Sequence, residues 1–139
     1  MGSGFIVVLA AALVLGGALL LFIFYRSGDG VQLNVEKYRS QWLKIDGSIE
    51  KGSSATYQMA ILNADKLLDS ALKEAKYSGN TMGERLKSAD KVFGNVNAVW
   101  AAHKLRNRIA HEPDVSIRYD TARPAMATFK QALKDVGAI

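Results

Sequence analysis

The stretch that decides how this chain is organised lies near its C-terminus, at residues 99–113, VWAAHKLRNRIAHEP. In and just before this stretch, apolar residues recur at steps of four, three and four, the spacing of one helix face: Ala98, Ala102, Leu105 and Ile109. Pro113 disfavours helical geometry at the residue before it, so the helix is expected to end near His111. The pattern therefore predicts a helix that ends in a histidine.

A second stripe follows the same helix at steps of three, four and four: Trp100, His103, Asn107 and His111. At about 100° per residue it lies well round the helix from the apolar stripe, and it combines an aromatic ring, two imidazoles and an amide. Lys104 and Arg108 fall on a third face, which is expected to be solvated. Because an exposed tryptophan needs a reason, the second stripe is predicted to be the seam of a homodimer.

The hexapeptide at residues 106–111, RNRIAH, resembles the signature of HEPN domains. That signature is an arginine, often followed by asparagine, with a histidine four to six residues later near a helix end. HEPN domains are small helical bundles, and many are metal-independent endoribonucleases in which two such helices meet across a dimer. The resemblance covers roughly residues 55–137 as a pattern of helices, and it implies an all-α bundle with RNA as a partner.

The resemblance also implies roles for the motif residues. His111 would be the acid/base group, Arg106 the phosphate clamp and Asn107 an orienting group, which suits the proton chemistry of imidazole and the fork of a guanidinium. Residues five apart on a helix point about 140° apart, so either the long arginine side chain or a second copy of the helix must bring Arg106 towards His111. The candidate binding residues are Trp100, His103, Lys104 and Arg108.

A non-catalytic interpretation of the motif stays open. Histidines and arginines at helix ends often serve as caps and ion-pair partners, and many members of the resembled family are scaffolds or nucleotide binders. The second hypothesis is therefore a module that binds a protein, a nucleotide or RNA. No cofactor is implied. A zinc site from His103 and His111 is not expected, because residues eight apart lie about 12 Å apart along a helix axis.

The N-terminal segment predicts a membrane anchor. Residues 5–25 contain no charged side chain, and these 21 residues match the roughly 20 that span a bilayer as a helix. A cleaved signal peptide is disfavoured, because no basic residue precedes the apolar run and no A-x-A site follows it. The basic residues all follow the span, beginning with Arg26, Lys37, Arg39 and Lys44. The positive-inside bias then predicts a single-pass protein of the cell membrane with a cytoplasmic C-terminal domain.

A third hypothesis is a pilin-like surface subunit. Gly4 and Phe5, followed by an apolar helix, resemble a type IV prepilin cleavage site. The leader has no basic residue, however, and Leu9 stands where that family usually carries glutamate.

The remaining sequence predicts an N-terminal transmembrane helix over residues 1–26, a linker over 27–34 and a soluble antiparallel bundle of four to five helices over 35–139. The predicted helix caps are Asn34, Ser53 or Ser54, Thr81 with Glu84 as a capping box, Asn97 and Asp120. Met59 is expected in the buried face of the helix that runs from Ser53 or Ser54 to about Tyr77. Asp65 and Asp69 on the same helix are expected to pair with basic residues of a neighbouring helix. The net charge of +5 permits an RNA or anionic-lipid partner, and the lack of cysteine excludes disulfides and thiolate chemistry.

Overall fold

A computed structural model of the chain describes residues 2–26 and 31–139, and every regular element in these two ranges is a helix. The elements are α1 (Gly2–Arg26), α2 (Val35–Gly47), α3 (Ser54–Glu74), α4 (Met82–Ser88), α5 (Val96–His111) and α6 (Tyr119–Asp135). The predicted all-α class, with one apolar N-terminal helix followed by a helical bundle, is confirmed. The predicted linker lies partly outside the described residues, and its last four residues precede α2 without helical structure.

The first helix, α1, forms a unit of its own. Between Gly2 and Ile23 it is long and apolar enough to cross a membrane, and its residues there are exposed. Its exposed surface is almost entirely aliphatic and aromatic, which water solvates poorly. The predicted span therefore exists as a helix of suitable length and composition.

The second unit begins at Val31 and is built around α3, which packs against each of α2, α4, α5 and α6. Nine residues of α3 are buried, more than in any other helix of the unit, because its apolar positions recur on a wide face. The largest completely buried side chains come from four helices: Tyr38, Ile61, Leu68, Leu72, Leu86, Phe129 and Leu133. Burial of each such apolar side chain contributes about 1.5–3 kcal/mol, so this core holds the helices in place.

Three predicted caps are confirmed. The side chains of Asn34, Ser53 and Thr81 each accept a hydrogen bond from the backbone N–H three residues further on. The Glu84 carboxylate in turn accepts from the backbone N–H of Thr81, which completes the capping box at the start of α4. Short-range side-chain chemistry is enough to fix these helix starts.

Two predicted caps and one core residue are wrong. Asn95, not Asn97, caps α5, because Val96 already packs against the core as the first helical residue. Arg118, not Asp120, precedes α6, and its side chain makes no capping hydrogen bond. Asp120 lies inside the first turn, where its negative charge interacts favourably with the helix dipole. Met59, expected in the buried face of α3, is 55% exposed because the core lies on the opposite side of the helix.

Candidate functional site

The side of α5 that faces the bundle lies between the two predicted stripes. Val99, Ala102 and His103 are its buried residues. Trp100 is only half-buried, but its indole covers Gly83 of α4, where an added Cβ would lie 3.7 Å from the ring. The indole also meets the His103 ring edge-on, with 6.0 Å between ring centroids. Trp100 thus has a packing role within one chain, and an exposed tryptophan is no longer a reason to place a dimer seam on this stripe.

A buried carboxylate on α3 organises the polar residues of α5. Asp65 is 2% exposed, and its Oδ1 lies 2.8 Å from Nδ1 of His103, which is itself 7% exposed. The other oxygen, Oδ2, lies 3.3 Å from Nε of Arg106, at ion-pair distance but without the alignment of a hydrogen bond. A buried carboxylate is tolerated only when such partners replace its lost hydration. Asp65 therefore fixes two side chains of the motif helix.

Asn107 connects the same two side chains. Nη1 of Arg106 donates a hydrogen bond to Oδ1 of Asn107 at 3.0 Å, and Nδ2 of Asn107 lies 3.4 Å from Nε2 of His103. Because a guanidinium can only donate, it fixes which end of the amide faces it, and the amide N–H₂ is left to face the imidazole. Nε2 of His103 then accepts, and its Nδ1–H donates to Asp65. We call Asp65, His103, Arg106 and Asn107 the Asp65 network.

His111 lies outside this network. It is the last residue of α5 and is exposed, and in the part of the chain that the structure describes no hydrogen bond or ion pair joins it to Arg106. Lys104 and Arg108 are exposed too, and Arg108 pairs with Glu112 at 3.5 Å. Of the predicted site residues, the structure brings together His103, Arg106 and Asn107, while Trp100 packs beside His103.

Asp65 belongs to the site, but the sequence pattern did not predict it as a site residue. The expectation that Asp65 and Asp69 pair with basic residues of neighbouring helices is confirmed: Asp69 binds Arg85 through both oxygens, at 2.6 and 3.1 Å. The available signal was that Asp65 falls among buried positions of α3, where a carboxylate needs a partner. Its partner His103 is 38 residues away, which helix periodicity cannot reveal.

The electrostatics of Asp69 follow from the same kind of contact. Burial by itself raises the pKa of Asp69, but hydrogen bonds from Arg85 and Lys73, together with their positive charges, outweigh it. The pKa of this carboxyl therefore lies below its ordinary value of 3.8. Asp69 is a charged structural tie between α3 and α4 at neutral pH.

The arrangement on α5 leaves one cation, Arg106, with access to solvent. Arg106 is 35% exposed while its Nε is anchored, so part of the guanidinium can meet a phosphate from solution. Among the described residues, no three His, Asp or Glu side chains come together in a way that could hold a metal ion. Comparisons of the chain with protein-family models, with curated proteins and with solved structures gave no match.

Proposed function

We propose that this chain is a membrane-anchored, HEPN-like helical protein whose bundle cuts RNA without a metal ion, as a homodimer. One observation carries the proposal: Nη1 of Arg106 donates to Oδ1 of Asn107, so the guanidinium lies beside a residue that is four positions before His111. Residues four apart share a helix face. The guanidinium is thus turned towards the side of α5 that carries Asn107, which reduces the angular separation between the arginine and the histidine.

The proposed reaction is attack of an RNA 2′-oxygen on the adjacent phosphorus. The bond from phosphorus to the 5′-oxygen breaks, which leaves a 2′,3′-cyclic phosphate and a 5′-hydroxyl end. One group must take the proton of the 2′-hydroxyl and another must protonate the leaving 5′-oxygen. Arg106 would stabilise the negative charge that develops on the phosphate oxygens.

The two proton transfers explain why the active unit is a dimer. His103 is unsuited to either, because both ring nitrogens already face Asp65 and Asn107 and the residue is 7% exposed. Each chain then supplies one free imidazole, that of His111, and a second copy would supply the other. Lys104 and Arg108 are exposed on the same helix and would contact the RNA backbone.

The membrane anchor fits this activity. Basic residues follow the apolar helix α1, beginning with Arg26, which favours a cytoplasmic bundle, the side on which RNA is found. Accessibility of a C-terminal tag to protease in intact cells tests the orientation. Protection supports the cytoplasmic placement, whereas cleavage of the tag supports the pilin-like alternative instead.

An RNA-cleavage assay on the full-length protein in detergent micelles tests the activity. We expect cleavage in the presence of EDTA with cyclic-phosphate products, lost in both Arg106→Ala and His111→Ala. Arg123→Ala is the matched control, since it removes an exposed arginine on α6, and it should cleave normally. Full activity in either motif variant would contradict the catalytic roles. Sedimentation of the same micelles reports whether the active species is a dimer.

A specific observation favours a second candidate, the non-catalytic module that binds a protein, a nucleotide or RNA. The charge of Arg106 is already partly balanced by Asp65, and a single chain offers only one free imidazole. RNA or nucleotide binding that depends on Arg106, with no cleavage by a confirmed dimer, would support this candidate against the endoribonuclease.

A further inference from the structure

A cleft between α2 and α3 lies in a part of the bundle that the motif helix does not use. It has a volume of about 280 Å³, and Ile45 and Leu67 give it an apolar base. Around that base stand two cations, Lys44 and Lys66, together with neutral polar groups, and no aspartate or glutamate lines it. A cleft of this composition attracts an anion that also carries apolar groups.

The two lysines of the cleft have no carboxylate to neutralise them. In the described ranges neither Lys44 nor Lys66 forms an ion pair, and both are exposed. By contrast, Lys37 on α2 and Lys73 on α3 each pair with a carboxylate nearby. The cleft is therefore a part of the α2–α3 surface where two positive charges are not neutralised by an ion pair.

An exposed leucine stands beside these cations. Leu43 is 63% exposed on the side of α2 that faces away from the core residues Tyr38 and Trp42. Arg39 is exposed on the same side, one helical turn before it. An exposed aliphatic side chain between basic residues is typical of helices that lie at the surface of an anionic bilayer, where the leucine enters the interface and the cations meet phosphates.

The length of the chain limits how far this surface can lie from a membrane that holds α1. Eight residues, 27–34, separate Arg26 from the start of α2. Fully extended, they span at most about 28 Å at roughly 3.5 Å per residue. Such a tether keeps the local concentration of phospholipid headgroups around α2 high, so individually weak contacts suffice.

We propose that Arg39, Leu43, Lys44 and Lys66, the headgroup face, dock the bundle on anionic phospholipids of the membrane that carries α1. The lipid phosphate enters the cleft between Lys44 and Lys66, and Leu43 inserts between the headgroups. This inference rests on the membrane-anchor part of the proposed function and is independent of RNA cleavage.

The lack of cysteine in the chain allows a direct test. Full-length Leu43→Cys carries a nitroxide label and is reconstituted into vesicles of phosphatidylcholine alone or mixed with phosphatidylglycerol. We expect the label to be accessible to a lipid-soluble relaxation agent in the anionic vesicles and to a water-soluble agent in the zwitterionic ones. Met59→Cys is the matched control, an exposed apolar residue on α3, and its label should stay in water in both.

Charge variants distinguish specific docking through the headgroup face from a general attraction between a basic protein and anionic lipid. Lys44→Gln with Lys66→Gln should return the Leu43 label to water in anionic vesicles. Lys91→Gln with Lys134→Gln removes the same charge from two other exposed lysines and should have no effect. A Leu43 label that stays in water, or is equally lipid-accessible in zwitterionic vesicles, overturns the proposal, and so does an equal effect of both charge pairs.

Flotation of the vesicles in alkaline carbonate distinguishes the two failures. Protein that does not float contradicts the membrane anchor, and with it the headgroup face. Protein that floats with its Leu43 label in water contradicts the headgroup face alone. Circular dichroism of each variant verifies that its helices are intact.

Discussion

Asp65 and Asp69 lie four residues apart on α3, and each carboxylate binds a basic side chain of another helix. At Asp69 the partner is fully enclosed: Arg85 is 6% exposed, holds both carboxylate oxygens and donates a further hydrogen bond to the carbonyl of Gly79 at 2.7 Å. At Asp65 the arginine partner, Arg106, is 35% exposed and is held through Nε and Nη1.

This difference shows how one kind of contact can serve two purposes. The guanidinium of Arg85 donates its hydrogen bonds to groups of its own chain, so it joins α3 to α4. Few of its N–H groups remain to bind a ligand. Arg106 is oriented by a buried anchor and still reaches solvent. Only the second arrangement combines a fixed direction with access, which is what recognition of an external phosphate needs.

The largest expected effect is on stability at Asp65. Asp65→Ala leaves His103 and Arg106 without their buried partner, and removing one member of a buried pair typically costs about 3–5 kcal/mol. We expect a loss of about that size in the free energy of unfolding, measured by urea titration in micelles with tryptophan fluorescence. Asp90→Ala, at an exposed aspartate, is the control and should change little. Equal stability of the two variants would show that the Asp65 network is not structural.

The next largest effect is expected at Arg106, on RNA cleavage and not on the free energy of unfolding. Arg106→Lys keeps the charge but loses the planar fork that joins Asp65 to Asn107. We expect RNA cleavage to fall about a hundred-fold, or about 2.7 kcal/mol, because one oriented donor to the phosphate is lost. The free energy of unfolding should change by less than about 1 kcal/mol, since this pair is partly exposed. Unchanged cleavage would assign Arg106 to the fold alone.

Arg85→Ala should give the opposite combination. Asp69 keeps Lys73 at 3.2 Å and is 17% exposed, so the loss in unfolding free energy should be smaller than at Asp65, about 2 kcal/mol. Cleavage per folded molecule should be unchanged, because α4 carries no proposed site residue. A selective loss of cleavage in this variant would mean that the Asp69–Arg85 contact also affects the geometry of the Asp65 network.

The smallest effect is a pH dependence at Asp69. Its pKa in the folded protein lies below the ordinary 3.8, so its ion pairs stabilise the fold above that pH and are lost as the pH falls through the lowered pKa. Asp69→Asn should therefore be less stable than the parent at neutral pH, by under about 1 kcal/mol, because the amide keeps a hydrogen bond to Arg85. The difference should shrink below pH 3.8, as followed by thermal unfolding. A constant difference would contradict the role of the charge.

Much of the fold could be predicted because its signals are local. The caps at Asn34 and Thr81 involve residues three positions apart, and the apolar run of α1 is continuous in the sequence. The start of α5 was missed because Asn95 and Asn97 are equally good caps, and packing of Val96 decides between them.

The site was predicted less well, because its geometry depends on which helices become neighbours. Nothing in the spacing of α5 shows that Trp100 would lie on Gly83 of α4. Nor does it show that His103 would face Asp65. Both contacts come from the packing of one helix on another, which the spacing of residues within a single helix does not reveal.

The edge-on contact between Trp100 and His103 places an intrinsic fluorophore against the Asp65 network. Imidazole rings quench indole emission, and more strongly when charged. In a Trp42→Phe background Trp100 is the only indole left in the chain, so its quantum yield would report a change in the state of His103 without any attached dye. The protein thereby contains its own optical probe for any ligand that disturbs the Asp65 network.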